Sequence, residues 1–508
     1  MKKRLLATIL SAAMLLSMTP AAFAEESETA STEASITYVV DGVSYTKKSE
    51  ENTAENEIKL TTEDGSRTIS LYSQWLDGDG IDITKVEKGS ALSSIAENGA
   101  AVATNADDVK QTHSAMPAVV EYAESDTVEN GRLFAGWYTS DGEEVTICTP
   151  ITEDTVVTAR FVNYTLKDGV LTISGDGQMC DVDKGALVPW DSYKSEITKV
   201  QIESGITKIG VKTLGLLSGP VDIEIPDTVT AIGSHALYGS NVKDMTIPAN
   251  VQWVGIAAFG SFKGTSLTFE GKPEMCYSTF LYKTTTKPEI GTVYVSDASA
   301  YELVRYAGFS GTISAKDASD IVSADGFVYQ VQNGMAKVLD YTGSESKITV
   351  PASVTKDETA YTVTEIGMGA FSNKSGLEIE LPGTITAVGS QAFYYNGDKS
   401  NAAKVLVPTF AIKELVKDSF ALSDGNPSVE YVGGSVESGN LQFVLSDDAT
   451  YYVVKGFAEN AADKTTISVP AYLNDIPVKE IADNAFKSAE NVASVTLPEG
   501  IEVIGEHS

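Results

Sequence analysis

The last two thirds of the chain repeats itself, and the period leaves few architectures open. Asp222-Ile223-Glu224-Ile225-Pro226-Asp227-Thr228-Val229-Thr230-Ala231-Ile232-Gly233-Ser234-His235-Ala236-Leu237 returns as Asp244-Met245-Thr246-Ile247-Pro248-Ala249-Asn250-Val251-Gln252-Trp253-Val254-Gly255-Ile256-Ala257-Ala258-Phe259. The frame recurs at Glu378 to Phe393 (EIELPGTITAVGSQAF) and, cut short, at Ser494 to Ser508 (SVTLPEGIEVIGEHS); looser copies begin near Lys199, Lys347, Lys404 and Thr466. The residue before the Gly, or before Ala482 in one copy, stands at 209, 232 and 254, at 366 and 388, and at 481 and 504, so neighbouring copies lie 22 or 23 residues apart. Units this short cannot bury a core alone. They stack, one coil per repeat, into a solenoid whose coils touch only their neighbours.

Each position in the frame has a physical reason. The period of two in Asp222 to Ile225 sends Ile223 and Ile225 inward and Glu224 outward. Pro226 ends the strand because it has no N–H for the ladder. Val229 and Ile232 point back into the coil, and Gly233 permits a backbone path that a Cβ would obstruct. Ala258-Phe259 then closes the coil, Phe filling the space between coils and Ala letting the backbone approach.

These residues resemble the BspA-type, or Treponema-type, leucine-rich repeat of bacterial surface proteins, and the resemblance covers about residues 164–508. Tyr164 to Gly177 (YTLKDGVLTISGDG), followed by Pro189-Trp190 and Ile197 to Val200, is similar to the opening hairpin of many members. Asp325 to Tyr329 and Asp448 to Val454 look like headers of a second and a third block, which divides the array into 164–315, 316–436 and 437–508. The chain departs from the pattern where Thr213-Leu214 and Ala236-Leu237 replace Ala-Phe, and where repeats near 267–282 and 405–420 are eroded. The fold class expected is mainly β: a leucine-rich repeat solenoid of short strands and short helical turns, preceded by a small β-grasp-like module.

Ahead of the repeats, Lys2, Lys3 and Arg4 precede an apolar run from Leu5 to Met18 and an Ala22-Phe23-Ala24 cleavage site. This order is that of a secretory signal peptide over residues 1–24, and the run is too short for a transmembrane anchor. No later segment is apolar enough to span a membrane, so the mature chain is expected to be exported, at the cell surface or free. Residues 25–60 read as an acidic arm and first strands, and 61–163 as a β-rich region with Asp-Gly and Asn-Gly turns. Residues 90–118 read as a loop or short helix.

Within that region, Phe134 to Thr139 (FAGWYT), Asp141-Gly142, Ile151-Thr152 and Val156 to Phe161 resemble the Listeria/Bacteroides repeat, a small β-grasp-like module, over about residues 119–162. Leu71 to Trp75 looks like the last strand of a second, eroded copy. Phe134 and Trp137 are too large to spare from so small a core, so packing is their expected role.

No catalytic, cofactor or metal arrangement is expected. His113, His235 and His507 are isolated, and His235 reads as a surface residue in a variable turn. Ser353-Val354-Thr355-Lys356 matches the SxxK nucleophile motif in letters but falls in the turn after Pro351 without its companion motifs. Asp77 to Asp82 lacks the acid or amide at position five and the Glu at position twelve of a calcium loop. Leu381-Pro382-Gly383-Thr384 approaches a sortase signal but is the repeat's own strand end. Cys148, Cys180 and Cys276 are widely spaced, without CxxC, and read as small core residues.

Surface remains. Stacked strands set their outward residues side by side at about 4.8 Å, a geometry suited to a large partner. The expected face is Gln201, Glu224, Thr246, Thr349, Glu380, Leu406, Ser468 and Thr496, mostly small or polar and with no aromatic stripe. A formal charge of −33 makes nucleic acid an unsuitable partner, since that binding depends on clustered Lys and Arg. The acidity is concentrated early: residues 25–163 hold 27 acids and 9 bases, residues 164–508 43 and 25. The resemblance implies an adhesion-like role toward a protein or glycan. The alternatives are a stalk without its own ligand, or part of a longer protein with an enzyme or wall-anchoring domain past Ser508, where the frame still expects a Phe.

Overall fold

The computed structural model describes residues 32–50, 57–72, 82–92, 118–119, 130–147, 149–179, 181, 188–281, 287–315, 318–395, 399–419, 426–431, 436–446, 450–458, 461, 465–473, 476–487, 489 and 492–508. The proposed leader, His113, Cys148, Cys180, Ser73 to Trp75, the Asp77 to Ile81 loop and most of 90–118 lie outside them.

The N-terminal region is built on one long strand, Thr155–Lys167. Glu33–Val40 runs parallel to it, with Ile36 opposite Thr155, and Asn130–Tyr138 runs antiparallel, with a register shift at Arg160/Phe161. Between them Trp137 is 0% exposed and meets the Tyr38 ring edge-on at 4.9 Å, with Phe134 beside it. The packing role expected of Phe134 and Trp137 is therefore what they perform. The same strand crosses the 163/164 boundary without a break: Val157 sits in the N-terminal core, whereas Val162 and Tyr164 belong to the core of the first repeat block.

From there the chain is a leucine-rich repeat solenoid of mainly β structure. Most coils contribute one strand to a first parallel face and another to a second. On the first, Val170–Ser174, Lys199–Ile202 and Asp222–Glu224 lie in register, followed by Asp244–Ile247, Lys263–Phe269, Glu289–Val295 and Ile313–Ala315. On the second, Ile206–Ile209, Ala231–Ile232, Trp253–Val254 and Glu274–Met275 do the same. Ile223, Val229 and Ile232 face the interior, and the strand stops at Glu224, two residues before Pro226. The second sheet is a finding; Ala231-Ile232 is too short to announce itself as a strand.

The glycine that precedes the closing turn in most copies is required by contact. A Cβ on Gly233 would lie 2.7 Å from Val211 N of the preceding coil, and one on Gly505 2.4 Å from Asp483 N. Two residues on, the backbone enters the left-handed region in every clear copy: Lys212, His235, Ala257, Gly369, Gln391, Asn484 and His507 have φ between 52° and 66°. The coil then closes on aromatic rings that stack along the axis, Phe259 on Phe280 at 5.2 Å and Phe371 on Phe393 at 5.4 Å.

Of the repeats read as eroded, the one near 267–282 keeps both its strands, Lys263–Phe269 and Glu274–Met275, and a closing Phe280; the coil after it and the eroded repeat near 405–420 hold the two α-helices of the described residues. Glu289–Val295 leads into α1, Ala298–Tyr306, and Lys404–Val407 into α2, Phe410–Asp418. Their first turns are capped by Asp297, accepting from Ala300 N, and Thr409, accepting from Ile412 N. The second block opens with the hairpin Phe327–Gln332 and Met335–Tyr341, which has two apolar faces: Val328 and Leu339 join the first block's core, Phe327, Tyr329 and Val338 the second's.

Candidate partner-binding face

The parallel ladders decide which outward side chains are neighbours. Thr172, Gln201 and Glu224 form one row; Thr246, Thr268, Tyr294 and Ser314 form the next. In the second block Thr349, Glu380, Leu406 and Glu430 align, and in the third Ser468 faces Thr496. Among the residues expected from sequence, Glu224, Thr246, Thr349, Glu380, Ser468 and Thr496 are exposed, and Gln201 and Leu406 are half-buried. The structure thus brings them together in four rows, two in the first block and one in each of the others, and adds Thr172, Thr268, Tyr294, Ser314 and Glu430. Those additions went unseen because their coils lack the Ile-Pro signature; the alternation Ser266-Leu267-Thr268-Phe269 was the available signal.

The charges on this face are occupied with one another. Lys199 Nζ lies 2.8 Å from Glu224, Lys243 3.3 Å from Asp222, Lys263 3.2 Å from Glu289, Lys347 3.2 Å from Glu378 and Lys404 2.5 Å from Glu430. Thr349 Oγ1 donates to Glu380 at 3.2 Å, and Ser266 Oγ to Asp244 at 2.7 Å. Every one of these contacts joins successive coils. Exposed pairs of this kind stabilise by roughly 0–1 kcal/mol each, so their main effect is to align side chains and cancel the field that would draw a charged partner.

The motifs weighed for chemistry resolve as parts of the scaffold. Ser353–Lys356 is a strand paired antiparallel with Thr359–Ile366, so it is not in a turn as expected. Three residues apart on a strand, Ser353 and Lys356 point to opposite faces and cannot act as nucleophile and base. Thr384 Oγ1 donates to Val363 O at 2.6 Å, tying the Leu381 to Thr384 stretch to the coil before it. Asp82 accepts from Thr84 N at 3.0 Å in a local turn.

Two other expectations are corrected. His235 is half-buried against Tyr238, with ring centroids 5.5 Å apart, because the coils on either side enclose its turn. Burial first, and the nearby Lys212 ammonium second, pull its pKa from 6.5 to about 4. Cys276 is a free thiol and half-buried, 3.5 Å from Ser278 Oγ, so it sits at the coil's edge and not in the core. Among the described residues no group of His, Cys, Asp and Glu is placed to hold a metal ion, and no helix is long and apolar enough to cross a membrane.

The family comparison agrees with the repeat frame. The family described as BspA type Leucine rich repeat region matches six copies, over residues 192–294, 347–426 and 462–508, and these segments are similar to its repeats. The match leaves out the N-terminal region and the hairpins that open the blocks. No curated protein matches the chain. A leucine-rich repeat protein from Eubacterium ventriosum is 18% identical, with 68% of this chain and 91% of that one covered and a TM-score of 0.35. A leucine rich cell surface protein from Faecalibacterium prausnitzii is 14% identical over 68% and 93%, with a TM-score of 0.24. The pneumococcal vaccine antigen PcpA is 12% identical over 68% and 97%, also with a TM-score of 0.24.

Proposed function

We propose that the chain is an exported bacterial surface or secreted protein that holds a protein or glycan partner, in an adhesion-like and non-catalytic role, on the outward rows of its repeat strands. The observation that carries this reading is the register: Thr172, Gln201 and Glu224, then Thr349, Glu380, Leu406 and Glu430, stand in unbroken rows. Export is supported by Lys2 to Ala24, and a spacer or second contact by the Listeria/Bacteroides-like residues around Phe134 to Thr139. Because Lys199 and Thr349 already engage Glu224 and Glu380, recognition here works through hydrogen bonding and shape more than through net charge.

The test is binding of residues 25–508 to extracellular-matrix proteins and a glycan array, repeated with the double reversal E224K/E380K. A partner whose affinity falls at least tenfold in the reversed variant, with unfolding unchanged, supports the face. No partner, or a partner indifferent to the reversal, overturns it. One observation favours a second reading, a stalk that spaces something else: the same self-paired charges are what an inert solvated face would show.

A further inference from the structure

The most deeply buried charges among the described residues lie where the first two blocks meet. Arg305, on the last turn of α1, is 3% exposed and Asp340, on the hairpin that opens the second block, 0%. Arg305 Nη2 donates to Asp340 Oδ2, which also accepts from Tyr301 Oη at 3.0 Å, and Lys374 Nζ stands 3.1 Å from Oδ1. Burial raises the pKa of the Tyr301 hydroxyl, so it stays a donor. Arg305 Nη1 is spent on Phe309 O at 2.7 Å, within its own block.

A second set of bonds crosses beside it. Glu302 accepts from Met368 N at 3.0 Å and faces Lys337 Nζ at 3.3 Å, while Ser372 Oγ donates to Arg305 O at 3.2 Å. A Cβ on Gly369 would lie 2.7 Å from Tyr306 N. Removing charges from water is costly, and well-packed apolar groups of similar size would hold two surfaces together as firmly. What charges add is direction: one pose satisfies them, whereas a greasy contact tolerates sliding. Apolar contacts cross the joint as well, through Val328 and Leu339 in the first block's core, so the charges act on top of packing and not in place of it.

We propose that the Tyr301–Arg305–Asp340–Lys374 cluster is an orientation lock that seats the second block on α1 in one pose, so that two blocks behave as one rigid body. It rests on the joint alone and is independent of which partner, if any, the outward rows hold.

The test uses the full chain carrying R305M/D340L, which replaces the charges of the Arg305–Asp340 pair with apolar side chains. Small-angle scattering and amide exchange are compared with the unchanged chain. The lock predicts amide exchange at least tenfold faster across Met335–Tyr341 and residues 367–372, with a broadened distance distribution, while coils at Asp222–Glu224 and Ala231–Ile232 keep their rates. Identical scattering and exchange would show that packing alone fixes the pose and would overturn the proposal. K374M, which leaves Arg305 and Asp340 in place, is the second variant: a smaller change in the same peptides supports the lock, and no change counts against it. If R305M/D340L does not fold, K374M decides.

Discussion

The coil at 222–239 and the coil at 494–508 are written in one frame and sit in different surroundings. Ile223 is 6% exposed and its counterpart Val495 57%; Ile232 is 0% exposed and Ile504 60%. The first coil has neighbours on both sides in the structure, the second on one. Local pattern therefore sets which way a side chain points, and only the next coil takes it out of water. Stability in such an array is a property of interfaces between coils more than of coils.

Substitutions can break that comparison or sharpen it. The largest effect is expected at the ring stack. Phe259→Ala, which empties a fully enclosed site between Leu237 and Phe280, should cost about 3–5 kcal/mol in denaturant unfolding. Phe486→Ala, half-buried beside Phe457, should cost about 1–2 kcal/mol. Equal costs would mean that enclosure of the ring does not set the cost of removing it. Next, Ile223→Ala should cost roughly 2–4 kcal/mol and Val495→Ala less than about 0.5 kcal/mol.

The glycines should erase the difference. Gly233 and Gly505 both press on the coil before them, which each possesses, so an alanine at either should cost a similar amount, about 1–3 kcal/mol. A large gap between the two would show that the close approach is relieved at the end coil. The smallest effect is a pH dependence. His235 is neutral in the fold, its pKa lowered to about 4, and regains 6.5 when unfolded. The unfolded chain therefore binds the extra proton between these values, so this contribution is complete above pH 6.5 and is lost as pH falls toward 4. His235→Asn, which also accepts the left-handed backbone, should flatten the acid limb of a thermal-melt profile over that window.

Much of this was legible. Ile223, Pro226, Val229, Gly233 and Phe259 each act as the frame implies, because their roles depend on neighbours one repeat away that carry the same frame. Where the frame changes, reading fails. Ser296-Asp297-Ala298 followed by Tyr301 and Val304 is a readable helix start, but the frame gives no sign that a helix replaces a closing turn there. Arg305 and Asp340 are 35 positions apart and look like ordinary surface charges; no local period links them, and only the stacking of two blocks brings them together. The outward rows were legible as directions, yet not as pairs, because Lys199 and Glu224 belong to different copies.

The strand Thr155–Lys167 has a mechanical meaning beyond its place in two cores. It is laddered along nearly its whole length, to Glu33–Val40 and Asn130–Tyr138 and then to Val170–Ser174. The chain enters the repeats through this one strand, hydrogen-bonded along most of its length to elements of both regions. The entry to the solenoid is therefore a splice of two hydrophobic cores on a single strand, so that a disturbance of either core is carried into the ladder of the other.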